Sequence, residues 1–137
     1  WDDCEEWDTT EVGGTLGIRC FDTLIFYFDQ DKSYVVDVVF HPKNNITVQD
    51  MIDEFGEPAY LNVIVSGYEE LTWEASMRLY YPDYKMAIWP EDQKGNSYSL
   101  QSTTIIDAVV YHGVEFVEKD FWPWKQDWQG YIEYFEK

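Results

Sequence analysis

The chain has 137 residues, 45% hydrophobic and 19% aromatic, with 7 Trp, 11 Tyr and 8 Phe, a composition far too apolar for a disordered acidic tail. Its 27 carboxylates against 9 Lys and Arg give a formal net charge of −18, so the averaged field repels phosphate backbones and anionic lipid surfaces and disfavours nucleic acid as a partner. The length suits one domain over 1–137, able to bury roughly two thirds of its unfolded surface around a single core.

The acidity reads first as a solvated surface that keeps an aromatic-rich protein soluble. Cation binding, a basic partner or a salty habitat are the alternatives. At the amino terminus, Cys4 and Cys20 are separated by a stretch containing Gly13, Gly14 and Gly17, flexible enough to let the ends meet. A disulfide there ties down residues 1–20, restricts the unfolded chain by on the order of 3 kcal/mol and implies an oxidising compartment. Two buried thiols in a cytosolic protein are the alternative. Asp2, Asp3, Glu5, Glu6 and Asp8 can gather a cation loosely, although such runs are more often solvated. The chain begins at Trp1 and contains no apolar run as long as a signal peptide or membrane span. It therefore reads as a mature, processed product without a transmembrane segment, placed outside the cell or in its envelope.

Further along, Thr23 to Asp29 and Ser33 to Phe40 are rich in β-branched and aromatic residues. Joined across Gln30-Asp31-Lys32, they predict a hairpin. On its second strand Tyr34, Val36, Val38 and Phe40 share one face, expected to be core, with Asp37 opposite. Residues 46–58 then specify one short helix over 47–56. Thr47 caps it, Asp50 completes a capping box, and Ile46 can pack on Met51 as a hydrophobic staple. Val48, Met51, Ile52 and Phe55 fall on one apolar face, and Gly56 with Pro58 supplies the stop. Asn45-Ile46-Thr47 is also an N-glycosylation acceptor triplet, of small weight because such triplets arise by chance. Pro58 to Ser66 predicts a strand with Leu61, Val63 and Val65 on one face, and Gly67 to Glu70 a turn. Glu74 to Tyr81 and Tyr84 to Trp89 predict a second hairpin through Pro82-Asp83. Glu91 to Ser97 is a polar loop, and Thr103 to His112 a β-rich segment that can close the sheet.

The terminal stretch, 121–137, is aromatic. Trp124, Trp128, Tyr131 and Phe135 stand at i, i+4, i+7 and i+11, which predicts a C-terminal helix with its rings on one stripe, against the cost of Gly130 inside it. The stripe either caps the open face of the sheet or docks another protein or sugar rings, since Trp and Tyr dominate contact hot spots.

For chemistry the residues offer little. His41 and His112 are the only histidines and have no metal-ligand spacing, so each reads as structural and no metal or cofactor is expected. Gly13-Gly14-Thr15-Leu16-Gly17 lacks the Lys-Ser/Thr of a phosphate loop, and no Gly-x-Ser-x-Gly elbow occurs. With the cysteines paired there is no thiol nucleophile. Carboxylate pairs are guaranteed by chance at this acidity, so their proximity in sequence does not indicate glycoside hydrolysis. Asp29 to Ser33 alternates oxygen donors like the start of a calcium loop but lacks its central Gly and terminal Glu, and a hairpin turn explains it better.

Thr47-Val-Gln-Asp-Met-Ile-Asp-Glu-Phe-Gly-Glu-Pro58, with Met77-Arg-Leu-Tyr-Tyr-Pro82 and Lys85-Met-Ala-Ile-Trp89, resembles small secreted proteins and lipoproteins of filamentous Chloroflexota-type bacteria. More distantly it is similar to the helix-on-antiparallel-sheet modules of SmpA/OmlA-type assembly lipoproteins and of the β-lactamase inhibitor protein. The likeness spans residues 46–90 and implies an envelope location and protein binding at the level of fold only. The chain has no recognisable amino-terminal lipid cysteine, and the Trp-rich tail has no counterpart in those modules.

The expected architecture is α+β, a mostly antiparallel sheet carrying the 47–56 helix and a terminal helix. The expected function is non-catalytic: binding to another envelope or extracellular protein, or to a second copy of itself, through an acidic, aromatic surface including Trp89, Trp122, Trp124, Trp128 and Tyr131. The alternative is a carbohydrate-binding or glycan-active protein that stacks sugars on these tryptophans and uses carboxylates.

Overall fold

The computed structural model describes residues 4–7, 16–20, 23–28, 35–112 and 125–137. Among them, one sheet of ten strands carries a single α-helix, and two short strands pair separately. The chain builds β1 (Cys4–Trp7), β2 (Leu16–Cys20), β3 (Leu24–Phe28) and β4 (Val35–Phe40) as consecutive antiparallel neighbours. After α1 (Val48–Phe55) come β5 (Tyr60–Ser66), β6 (Glu74–Tyr81) and β7 (Met86–Pro90), again antiparallel neighbours in sequence order. β8 (Gln93–Lys94) pairs with the start of β6. β10 (Ile106–His112) lies between β4 and β7, with Val109 opposite both Phe40 and Ile88. The segment expected to close the sheet is therefore the seam between its two halves.

Alternation decides which side chains enter the core. Val48 and Met51 of α1 pack with Leu61 and Val63 of β5, Met77 and Leu79 of β6, Met86 and Ile88 of β7, and Val109 of β10. Burying each such side chain stabilises the fold by roughly 1.5–3 kcal/mol. Ile46, Ile52, Phe55 and Val65 pack at the margin of this cluster. The helix starts and stops where its residues dictate. Thr47 Oγ1 accepts from the Asp50 N–H at 3.2 Å, Asp50 Oδ2 accepts from the Thr47 N–H at 2.8 Å, and the Gly56 N–H donates to Ile52 O at 2.8 Å. Phe55 meets Tyr81 and Tyr84 edge to face.

The opposite face of the central strands is buried too. Ile25, Val39, Ala108 and Val110 form one cluster, Tyr60, Tyr80 and Ala87 another, and Trp89 packs against both. The single core face expected for β4 is thus incomplete: Phe40 packs on the main core, but Val39, on the side of Asp37, is buried as well. The turn expected at Gln30-Asp31-Lys32 lies outside the described residues, while the pairing of β3 with β4 is as expected.

Over 125–137 the expected terminal helix is replaced by two short strands. β11 (Gln126–Asp127) pairs with Tyr60 and Leu61 of β5, and β12 (Glu133–Phe135) pairs with β9 (Ser97–Ser99). Gly130 takes φ +85, a left-handed bend that glycine adopts without strain and that no helix interior contains. The bend is held by Tyr134, whose hydroxyl accepts from the Gln129 N–H at 3.0 Å and donates to Gly130 O at 2.8 Å. The helical spacing of the rings lost to period-two alternation across Glu133-Tyr134-Phe135, which buries Tyr134 and leaves Phe135 exposed.

Candidate binding surface

The expected disulfide is present. Cys4 and Cys20 stand opposite each other at the open end of the β1–β2 hairpin and are bonded, with Cα atoms 4.1 Å apart. It fastens the outermost strand to the sheet.

Of the aromatic residues singled out from the sequence, Trp122 and Trp124 lie outside the described residues. Trp128 is half-buried against the main core and meets Tyr131 edge to face, with ring centroids 5.8 Å apart. Tyr131 is exposed, and its hydroxyl donates to Gln49 Oε1 on α1 at 2.6 Å. Trp89 is half-buried on the far face of the sheet, where the Arg78 guanidinium lies 3.9 Å from its ring centroid. That ring face is occupied by a cation, leaving less of it for a sugar. Asn45 is exposed in the approach to α1. His41 Nδ1 is 3.2 Å from the Asp107 carbonyl oxygen. Among the described residues no three His, Cys, Asp or Glu side chains gather as metal ligands.

Among the described residues, the most exposed apolar groups lie at and just after the turn expected over Gly67 to Glu70. Between β5 and β6, Gly67 at φ +128 brings the chain so close to residue 72 that a Cβ there would stand 2.7 Å from the Thr72 carbonyl oxygen. Residues 70–72 make a single 3-10 turn, closed by the Thr72 N–H on Glu69 O at 2.8 Å. The Thr72 hydroxyl accepts from the N–H groups of Tyr68 at 3.2 Å and Glu69 at 3.1 Å and donates to Glu69 O at 2.9 Å. Trp73 O accepts from the Gly95 N–H at 2.9 Å, fixing the tip to the neighbouring loop. On this braced frame Tyr68 is fully exposed and Leu71 is 92% exposed, with Glu69 and Glu70 exposed between them. The signal in the sequence is three large apolar residues, Tyr68, Leu71 and Trp73, within a seven-residue connection that has no helical or alternating period.

A shallow cleft of about 300 Å³ opens on another side, lined by Glu91, Asp92, Gln93, Gln101, Thr103 and Thr104 among others. One of its two amides is engaged within the protein: Gln93 Nε2 donates to Ser99 O and Gln93 Oε1 accepts from the Ser99 N–H. No aromatic ring lines it, so a sugar would meet hydrogen-bonding groups without a stacking face.

No helix among the described residues is long and apolar enough to cross a membrane. Compared with known proteins, the chain matches no family model, no curated protein and no solved structure.

Proposed function

We propose that the protein is a non-catalytic binding protein of the cell exterior or envelope that engages another protein through the tip between β5 and β6. The observation that carries this reading is the braced display of Tyr68 and Leu71. Large apolar side chains held in solvent by a fixed backbone cost little further entropy when a partner covers them, and each gains roughly 1.5–3 kcal/mol on burial. Glu69 and Glu70 between them fit an apolar pocket with a basic rim, and the net charge of −18 favours approach of such a partner. Two copies meeting tip to tip would set these glutamates against each other, so the partner is a different protein. The disulfide supports an oxidising compartment.

The test is site-specific photocrosslinking in the source cells, with Tyr68→p-benzoyl-phenylalanine compared with the same substitution at the exposed Lys43. A single crosslinked protein is expected from position 68, absent from position 43 and abolished by adding Leu71→Asp. Equal crosslinking from both positions, none from position 68, or a product that is the chain's own dimer overturns the reading.

A further inference from the structure

We infer that the outer face of the sheet carries a carboxylate-binding site centred on Arg78, suited to the free end of a peptide or an N-acylated amino acid. Arg78 is one of two arginines in a chain with 27 carboxylates. It nevertheless has no carboxylate within ion-pair distance among the described residues. One N–H donates to the Met77 carbonyl at 2.9 Å, and the guanidinium plane rests over Trp89 at 3.9 Å. A guanidinium has five N–H donors, so four are left without a protein acceptor among the described residues. Burial lowers its affinity for its proton, while Asp92 and Asp107 act on it through space in the opposite direction. The stacking and the backbone bond fix the fork in place before any ligand arrives. A fixed fork is what bidentate carboxylate recognition requires.

A second observation defines the rest of the ligand. Asn62 of β5 stands directly opposite Arg78 in the sheet register, is 3% exposed, and has no hydrogen-bond partner at Oδ1. Its amide also acts on the Tyr80 hydroxyl, opposing the rise that burial gives that phenol's pKa. Buried acceptors are rarely left unmet, and this one belongs to the residue paired with Arg78 across the strand register. An N–H adjacent to a carboxylate, the arrangement at a peptide's C-terminus, supplies both needs at once. Ile64, the next residue outward on the same face of β5, is 50% exposed and provides an apolar flank for the terminal side chain. The overall negative charge disfavours a doubly charged phosphate in the same place more than a singly charged carboxylate with an apolar body.

The experiment is a titration of the whole chain with N-acetyl-phenylalanine and, separately, with its uncharged amide. It follows the Arg78 Nε–H and Trp89 indole N–H signals in ¹⁵N-edited spectra. The acid is expected to shift both signals saturably and the amide to leave them in place. Arg78→Lys, which retains charge and stem, should weaken binding about tenfold through loss of the bidentate fork, and Arg78→Met should abolish it. Leu71→Asp should bind as the wild type does, which separates this site from the tip. An equal response to acid and amide, no saturable shift in the wild type, or undiminished binding by a folded Arg78→Met chain overturns the inference.

Discussion

Thr47 and Asp50 hold the first turn of α1 by a reciprocal pair of hydrogen bonds, and each has a separable consequence. Thr47→Ala should lower stability by about 1 kcal/mol, the usual cost of losing a side-chain cap. Asp50 accepts from the Thr47 backbone N–H, then from its side chain, and these bonds pull its pKa below the ordinary carboxylate value. A carboxylate with a depressed folded-state pKa adds stability that is present above its unfolded pKa and lost as pH falls through the folded one. Thermal unfolding of wild type and Asp50→Ala should therefore differ at neutral pH and converge in acid; a difference that persisted below the folded pKa would contradict the capping role. These residues were legible in the sequence because a cap and its partner lie within one turn. Tyr68 and Leu71 were not, since a turn signal fixes the path of the backbone and says nothing of whether a neighbour covers its side chains.

The elements follow the same division between local and distant causes. α1, β5, β6 and the turn at Pro82 are written in adjacent residues and came out as expected. The terminal segment departs from the helix its ring spacing predicts because Gly130 and the pairing of β12 with β9 favour extended chain. Tyr134 is the residue that fixes the outcome, being buried in the main core while its hydroxyl bridges Gln129 and Gly130. Tyr134→Phe keeps the ring and removes both hydrogen bonds from a bend that water can reach, at a cost of about 0.5–1.5 kcal/mol. Chemical denaturation measures it directly; an unchanged midpoint would show that the bend holds without the hydroxyl. Arg78 was visible as a residue, but its place opposite Asn62 and over Trp89 depends on strand register, which no local pattern states.

At the scale of the whole molecule, the sheet buries ionisable phenols. Burial raises the pKa values of Tyr80, Tyr81 and Tyr98 above the ordinary tyrosine value. A phenol whose folded pKa is raised contributes stability that is fully present below the unfolded pKa and is lost as pH climbs beyond it. The melting temperature should hold up to about pH 10 and fall progressively above it, with phenolate absorbance appearing in step with unfolding. Phenolate signal from these rings ahead of unfolding would contradict the burial. The class of the fold and the existence of two strand groups were legible from periodicity, whereas the central position of β10 was not, because strand order is settled by packing between distant segments. That position has a consequence in time. Until residues 106–112 leave the ribosome, β4 and β7 each offer a bare row of backbone donors and acceptors to whatever strand is nearby. Closure of the sheet is then a late, long-range step, and a nascent chain interrupted before it carries two adhesive edges where the finished protein has a seam.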